Sequence, residues 1–565
     1  MNLTKPNLFL LSICLLFSSL ITAQQADDSR TMLRQLETPD DEYTPVDTRT
    51  MARSPAYTRS SPVFYMTQVN VDADGMNIVG DAANEPSITF DRTNPDRMAI
   101  GWRQFDNIVS NFRQAGLGIT TDGGQTWSFN GVLDPGTFRS DPVLDSDGEG
   151  NFYYNSLTVQ GDFWCEVFES YDGGASWTEE VFAYGGDKQW FSVDKAGGTG
   201  SGHIYHYWST ASICDPYYFT RSIDGNMTWE DCIAITGGPY WGTTAVNADG
   251  DLYICGQAGW NFLVVKSSTA KDPGQDVTWD FATAVDLDGR LVGFGGFSCP
   301  NPGGLLGQTI IAIDSSGGPT HDNVYLLASV EREAINDPLD VMFARSTDGG
   351  QTWSDPVRVN DDLITSAWQW FGTMSVAPNG RIDVAWLDTR DNPGGINSAL
   401  YYSYSTDAGE TWSQNVRLSD SFDPHLGWPN QEKMGDYFDM FSDETSAHLA
   451  WASTLNGEQD VYYGRITPSS VGIDELDGNA SLNVKSYPNP FREQTTISYF
   501  MPQKGKVSLK VFTMTGAEIT TLVDEDRDFG LHQVDFDARR LDDGLYYYRL
   551  QAGDVIETGR LVVIK

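Results

Sequence analysis

Thr120–Trp127 reads TTDGGQTW, and the phrase returns at Ser170–Trp177 (SYDGGASW), Ser222–Trp229 (SIDGNMTW), Ser346–Trp353 (STDGGQTW) and Ser405–Trp412 (STDAGETW). The frame is Ser/Thr-x-Asp-x-Gly-x-Thr/Ser-Trp, and it departs from this only where Asn226 stands for Gly. Its aspartates, Asp122, Asp172, Asp224, Asp348 and Asp407, are separated by 50, 52, 124 and 59 residues, and 124 is about two periods. A period of this size marks a repeat architecture. The Asp caps backbone N–H groups in a turn and the Gly supplies φ > 0. The leading Ser or Thr bonds within the same loop. The Trp opens the next strand and brings a large apolar area. The five aspartates and the five tryptophans (Trp127, Trp177, Trp229, Trp353, Trp412) therefore read as structural, with Trp127 and Trp353 expected in the core.

The phrase resembles the Asp-box, or bacterial neuraminidase repeat, of sialidase-like β-propellers. In that family the box joins the third and fourth strands of a blade and points away from the catalytic face. Strand and turn signals alternate at the spacing of a four-stranded meander. First strands open at Glu85, Asp141 and Gln189, and second strands run over Met98–Trp102, Phe152–Asn155, His203–Trp208, Leu252–Cys255, Val324–Ser329 and Ile382–Trp386. A degenerate repeat lies at Tyr240–Trp279. A seventh, at Met434–Ile466, has three strands and no box, and an early strand near Val63–Val71 is placed to complete it. The expectation is an all-β chain: a seven-bladed propeller over 62–467, or a six-bladed one as in true sialidases.

The 565 residues carry a net charge of −42. That excludes nucleic acid and anionic membrane as natural partners. Residues 1–23 have the Lys5 charge, the apolar Leu8–Ile21 run and the small-residue site of a secretory signal peptide. Residues 24–61 read as a flexible leader and 468–483 as a linker. No later stretch is long and apolar enough to span a bilayer. Export permits disulfides, and Cys214 and Cys232, flanking the third box, are candidates to pair.

The last 82 residues, 484–565, form a separate β-sandwich pattern. Tyr487-Pro-Asn-Pro-Phe491, Gly544-Leu-Tyr-Tyr-Tyr-Arg-Leu550 and the terminal Lys565 resemble the type A C-terminal sorting domain of the type IX secretion system. The resemblance implies a bacterium of the Bacteroidota, the type IX machinery as a partner, removal of the domain, and a secreted or cell-surface product.

Sialidases clamp a carboxylate with three arginines. Their first blade opens on an Arg, and here the matching strand opens Asn84-Glu-Pro-Ser87. The clamp therefore cannot be carried onto Arg103, Arg113, Arg221, Arg332, Arg345 or Arg390. Innermost strands line a propeller's axis. Their opening residues, Glu85, Asp141, Asp187, Trp190, Trp241, Trp370, Asp436 and Tyr437, mix acids with aromatic rings as sugar sites do. Trp386-Leu-Asp-Thr-Arg-Asp391 adds Asp388 and Arg390, as a structural pair or as part of a site. Asp72–Asn77 and Asp145–Gly148 could hold calcium through clustered carboxylates, though both are shorter than an EF-hand loop. No other cofactor and no zinc spacing is read. Two functions stay open: a binding or adhesion module for extracellular glycans or glycoproteins, and a sialidase-like exo-glycosidase. The missing first-blade Arg favours the first.

Deleting 484–565 is expected to trap the propeller in the periplasm, as read by fractionation and surface proteolysis. Normal surface display of the truncated protein would contradict the sorting role.

Overall fold

In the computed structural model, described residues run 41–468 and 484–565, apart from 130, 294–297, 333–334, 336, 502–504, 515, 528–529 and 554. The expected signal peptide, the expected leader up to residue 40 and the expected linker from 469 to 483 lie outside them. The chain divides into two units, Met1–Pro468 and Ser469–Lys565.

The first unit is built of antiparallel meanders, each with an inner strand followed by strands stepping outward. Blade one is Ala82–Phe90, Met98–Phe105, Gln114–Thr120 and Ser128–Phe129; blade two runs from Ser140–Ser146 to Val181–Phe182. Blade three is Trp190–Val193, Ile204–Tyr207 and Phe219–Ser222, with a short pair, Gly186–Asp187 and Thr210–Ser212, beside it. Blade four runs from Thr244–Val246 to Phe281–Val285, blade five from Ile310–Ile313 to Val357–Arg358, and blade six from Gln369–Val376 to Val416–Arg417. Blade seven has Asp439–Ser442, Ala447–Ser453 and Asp460–Ile466, and is completed by Phe64–Gln68 from the other end of the unit. Each inner strand packs on the next, and that of blade seven packs on that of blade one. The fold is thus a closed seven-bladed propeller, whose radial repetition leaves only short outer edges on its blades. The six-bladed alternative falls away.

The latter part of the expected flexible leader is ordered. Thr58–Ser60 adds a fifth strand to blade seven, and Arg53–Pro55 pairs with Met76–Ile78. Its alternating polar residues suit an outermost strand, which need bury only one face.

The five boxes share one bonding pattern. Thr126 donates to Asp122 through its backbone N (2.9 Å) and its hydroxyl (2.6 Å). Ser176, Thr228, Thr352 and Thr411 repeat both bonds at the same lengths. The frame Gly is needed for close approach as well as for φ. A Cβ on Gly124 would lie 2.3 Å from Tyr463 of blade seven, and one on Gly409 2.2 Å from Phe343 of blade five. Each of these boxes is thereby pressed against the preceding blade. Asn226, at φ 70°, bonds across instead: its amide donates to Glu169 Oε1 of blade two at 2.8 Å. Its Oδ1 also accepts the Trp229 indole N–H at 2.9 Å, where Trp177 and Trp353 donate to a glycine carbonyl. Trp127 is buried, but Trp353 is only half-buried, packed against the edge of a core cluster that includes Tyr253 and Met342.

The second unit is a β-sandwich. One sheet holds Lys485–Tyr487, Gln494–Met501 and Gly530–Asp537; the other holds Glu518–Arg527, Gly505–Thr513, Gly544–Ala552 and Val555–Val563. Phe491, Leu509, Val511, Phe536, Tyr548 and Leu561 fill its core.

Trp127→Ala should cost about 3–5 kcal/mol, and Trp353→Ala distinctly less, as chemical denaturation will read. Asp348→Ala should cost about 1–2 kcal/mol through its lost hydrogen bonds. Thr352 and its neighbours hold the Asp348 carboxyl down at about 2. Because that lies below the unfolded value of about 3.9, the box's contribution is present above about pH 4 and fades as pH falls towards 2. A thermal melt that is flat across this window would contradict the assignment.

Candidate functional site

The inner strands of all seven blades break in the same way. Near the start of each sits one residue with positive φ: Glu85 (55°), Asp141 (45°), Lys188 (56°), Trp241 (56°), Gly307 (143°), Phe371 (56°) and Gly435 (94°). Five of these are non-glycine residues in the left-handed region, which surrounding structure must over-determine. The ladder slips at this point, between Asn84 and Ser87 in blade one and between Trp370 and Thr373 in blade six. These are β-bulges, which re-aim side chains. Here they turn polar groups of different blades towards one another at the axis.

The result is a buried ion cluster. Lys188 Nζ lies 2.9 Å from Asp187, 3.0 Å from Asp436 and 3.8 Å from Asp141. Lys433 Nζ lies 2.9 Å from the same Asp436 oxygen, and Arg103 Nε lies 3.0 Å from Glu85. Burial works to raise the Asp436 carboxyl, but Lys188, Lys433 and Arg103 hold it well below its ordinary value. Asp141 is lowered in the same way, with Lys188 the leading cation. Glu85 goes the other way: burial dominates, and despite Arg103 its carboxyl is raised well above the ordinary value, with Asp141 and Asp436 adding to the rise. Arg103, Lys188 and Lys433 thus favour charge on Asp141 and Asp436, while burial disfavours it on Glu85.

Two long connections close over this end of the axis. From 298–309, Leu305 N donates to Asp436 Oδ1 (2.7 Å) and Asn301 Nδ2 to the Gly435 carbonyl (2.8 Å). From 418–438, Gln431 Oε1 accepts from Arg103 (3.0 Å) and the Lys433 carbonyl from Asn84 (3.3 Å). Glu85, Asp141, Asp187 and Asp436 are all buried as a result.

The axis is more open towards its other end. A cavity of about 210 Å³ is lined by Trp190, Thr243, Thr244, Thr373, Ser375 and Asp439, among others, beyond the bulges along the inner strands. That is the end on which the boxes lie: Gly123 N of box one bonds the Asp96 carbonyl in the turn after the inner strand. Burial raises the Asp439 carboxyl to about 6, although it accepts from Ser87 Oγ at 2.6 Å and Ile88 N at 3.0 Å.

The expected aromatic residues part company. Trp190 lines the cavity, edge-on to Tyr437 at 5.4 Å, and Tyr437 donates to the Pro142 carbonyl. Trp241 is 8% exposed and packs against Tyr240. Trp370 is fully buried, gives its N–H to Ser398 at 3.0 Å and packs on Phe371, so it presents no face to a ligand. Asp388 and Arg390 are paired at 2.8 Å, with Arg390 also on Asp361 at 2.7 Å and 4.4 Å over Tyr401. This is a cross-strand brace away from the axis.

The remaining candidate arginines are engaged near where they stand. Arg221 pairs with Glu230, Arg332 with Asp288 and Asp340, and Arg345 with Glu410, while Arg113 bonds Ser140 and the Asn111 carbonyl. In the loops read as calcium candidates, Asp72 Oδ1 accepts from the N–H groups of Asp74 and Met76, and Asp145 is paired with Lys195. Cys214 and Cys232 are disulfide-bonded, and Cys165, Cys255 and Cys299 are buried thiols.

The sequence reading passed over Trp260. It sits in the turn between Leu252–Ala258 and Asn261–Ser267 and is 61% exposed. The Arg290 guanidinium lies 4.7 Å over its ring and pairs with Glu331 at 2.8 Å. The turn is at the same end as the bulges, because second strands end where inner strands begin.

Residues 485–565 match the secretion system C-terminal sorting domain. The protein is therefore an exported one, delivered to the cell surface or secreted. No helix is long and apolar enough to cross a membrane among the described residues. The chain matches no curated protein. Among solved structures, it is similar to a protein of unknown function from Dyadobacter fermentans DSM 18053, at 13% identity and a TM-score of 0.42, covering 72% of this chain and 100% of that one. It is also similar to the GH93 α-L-arabinofuranosidase of Fusarium graminearum (11%, TM-score 0.26, 68% and 93% covered). A third likeness is to Trypanosoma rangeli sialidase (9%, TM-score 0.33, 90% and 88% covered). The activities of these proteins are their own.

Lys188→Met should destabilise the propeller by about 3–5 kcal/mol, because it removes the cation that Asp187 and Asp141 share and leaves Asp436 on Lys433 alone. Glu85→Gln should cost distinctly less, because burial already disfavours the charged form of Glu85. Denaturation of the two variants side by side checks this difference; equal losses would contradict it.

Proposed function

We propose that the protein is a binding module, delivered to the cell surface or released, that takes an extracellular glycan or glycoprotein on the loop end of its propeller. The observation that carries this reading is the pairing of a sealed axis with exposed apolar groups around it. The acids and arginines that would act on a sugar are committed to one another, while Val109 (82% exposed), Tyr217, Trp260, Ile335, Leu363 and Leu426 stand free on the connections of that same end. Apolar groups of this kind on an otherwise acidic surface suit a contact face, although Tyr171 and Met227 are exposed too, in boxes at the opposite end.

Trp260 is the natural anchor for a sugar. One face of its indole lies under Arg290, and the ring remains largely open to solvent. A pyranose can stack on such a ring while its hydroxyls reach Arg290 and Glu331. A sialylated ligand is disfavoured, because its carboxylate would meet a chain of net charge −42 without a free cationic clamp. Neutral glycans carry no such cost.

The full chain on a glycan array should retain neutral glycans and should turn over no fluorogenic sialoside. Trp260→Ala should weaken retention at least about tenfold, as expected for losing an aromatic anchor worth about 1.4 kcal/mol or more, and leave the melting temperature unchanged. Robust sialoside hydrolysis, abolished by Arg103→Ala or Arg390→Ala, would replace the binding reading with an enzymatic one.

A further inference from the structure

At the loop end and beside the axial cluster, a second acidic group lies where the ring closes. One carboxylate oxygen each from Asp81, Glu458 and Asp460 falls within 4.8 Å of the other two. Asp81 and Asp460 are fully buried and Glu458 is 9% exposed. Asp81 Oδ1 is buried and accepts no hydrogen bond.

The hydrogen bonds these carboxylates receive come from neutral donors. Gln104 Nε2 reaches Asp81 Oδ2 at 3.0 Å, Asn77 Nδ2 and Gly80 N each reach Glu458 at 2.7 Å, and Asn70 Nδ2 reaches Asp460 at 2.8 Å. Among the described residues no Lys or Arg forms an ion pair with any of the three. The nearby Arg53 is held by Asp72 at 2.6 Å, and Asp106 adds further negative charge beside Asp81. Neutral donors orient carboxylates without cancelling their charge, and charge buried in this way has to be neutralised.

We propose that Asp81, Glu458 and Asp460 form a divalent-cation site with calcium's chemistry, which clamps the closing seam of the propeller. All three ligands are oxygens, which select a hard ion over zinc or copper. Oxygens on opposite sides of a calcium ion stand about 4.6–5.2 Å apart, whereas magnesium draws them to about 4.2 Å and keeps its own waters, for which a buried site has little room. The orphaned Asp81 oxygen has the character of a ligand awaiting an ion. Asp81 leads into the inner strand of blade one, and Asp460 begins the strand that pairs with Phe64–Gln68. An ion held between them ties the first blade to the last.

The test uses the full chain stripped with EDTA. Calcium should bind with a stoichiometry of one in isothermal titration at high salt, and should raise the melting temperature progressively with concentration, as binding to the folded state alone requires. Magnesium at equal concentration should give a smaller shift. Asp81→Asn should weaken calcium binding at least about tenfold, since affinity follows the ligand charge count. The same variant in EDTA should melt no lower than wild type, because it removes a repelling charge. Glu458→Gln provides the second variant should Asp81→Asn fail to fold. Wild type with no saturable site and no calcium-dependent shift would overturn the proposal and leave the carboxyls neutralised by protons. So would multi-site binding that high salt removes, or a single site untouched by both substitutions.

Discussion

The pairing of Phe64–Gln68 with Asp460–Ile466 turns seven separate sheets into one ring. Without it, blade seven would end at a strand with an unpaired row of N–H and C=O groups. Closure by the most distant part of the unit also places a large loop-closure cost early in folding. The surroundings of the seam are correspondingly rich in side-chain bonds. Asn70 Nδ2 holds Asp460 and its Oδ1 accepts from Val461 N, while Gln68 and Asn77 are bonded to each other at 2.6 Å. A buried polar network of this kind specifies one register where apolar packing alone would allow several.

Given a closed ring, the two ends of the propeller do different work. At one end the boxes press each hairpin onto the blade before it through Asp–Thr bonds and a glycine that tolerates close approach. At the other, bulges turn charged side chains inward. A cluster of this kind adds little net stability, because desolvation offsets its Coulomb gain, but breaking one pair within it is costly. Its effect is specificity of arrangement: Lys188 holds acids from blades two, three and seven together, which only the correct ring can supply. Once engaged in this way, these groups are poorly placed for acid–base chemistry on a ligand.

Much of the fold was legible because it is local. The boxes carry their own turn chemistry, and the period between them counts blades. The three-stranded remnant at Met434–Ile466 together with the early strand near Val63–Val71 pointed to seven. The site was less legible, because its exposure is decided by distant chain. Glu85, Asp141 and Asp436 do gather at the axis as their position in the inner strands implies, yet the segments 298–309 and 418–438 fold over them, and nothing in the period of those segments announces it. Trp370 looked available at the start of a strand, but a bulge at Phe371 accompanies its burial in the core. Trp260 was missed for the opposite reason: a single indole in a tight turn has no periodicity to flag it. The order in residues 53–60 was hidden by their polar composition, since an outermost strand needs few apolar residues.

The central claim is that the ring is closed by the strand at 64–68. Amide hydrogen exchange followed by mass spectrometry tests it most directly. The account predicts that peptides covering Phe64–Gln68 exchange as slowly as those covering Ile382–Asp388 in the middle of blade six, and that both open together when the protein unfolds globally. Fast exchange over 64–68 while blade six stays protected would mean that the seventh sheet has a free edge, and would contradict the closed propeller on which the axis, the seam and the loop face all depend.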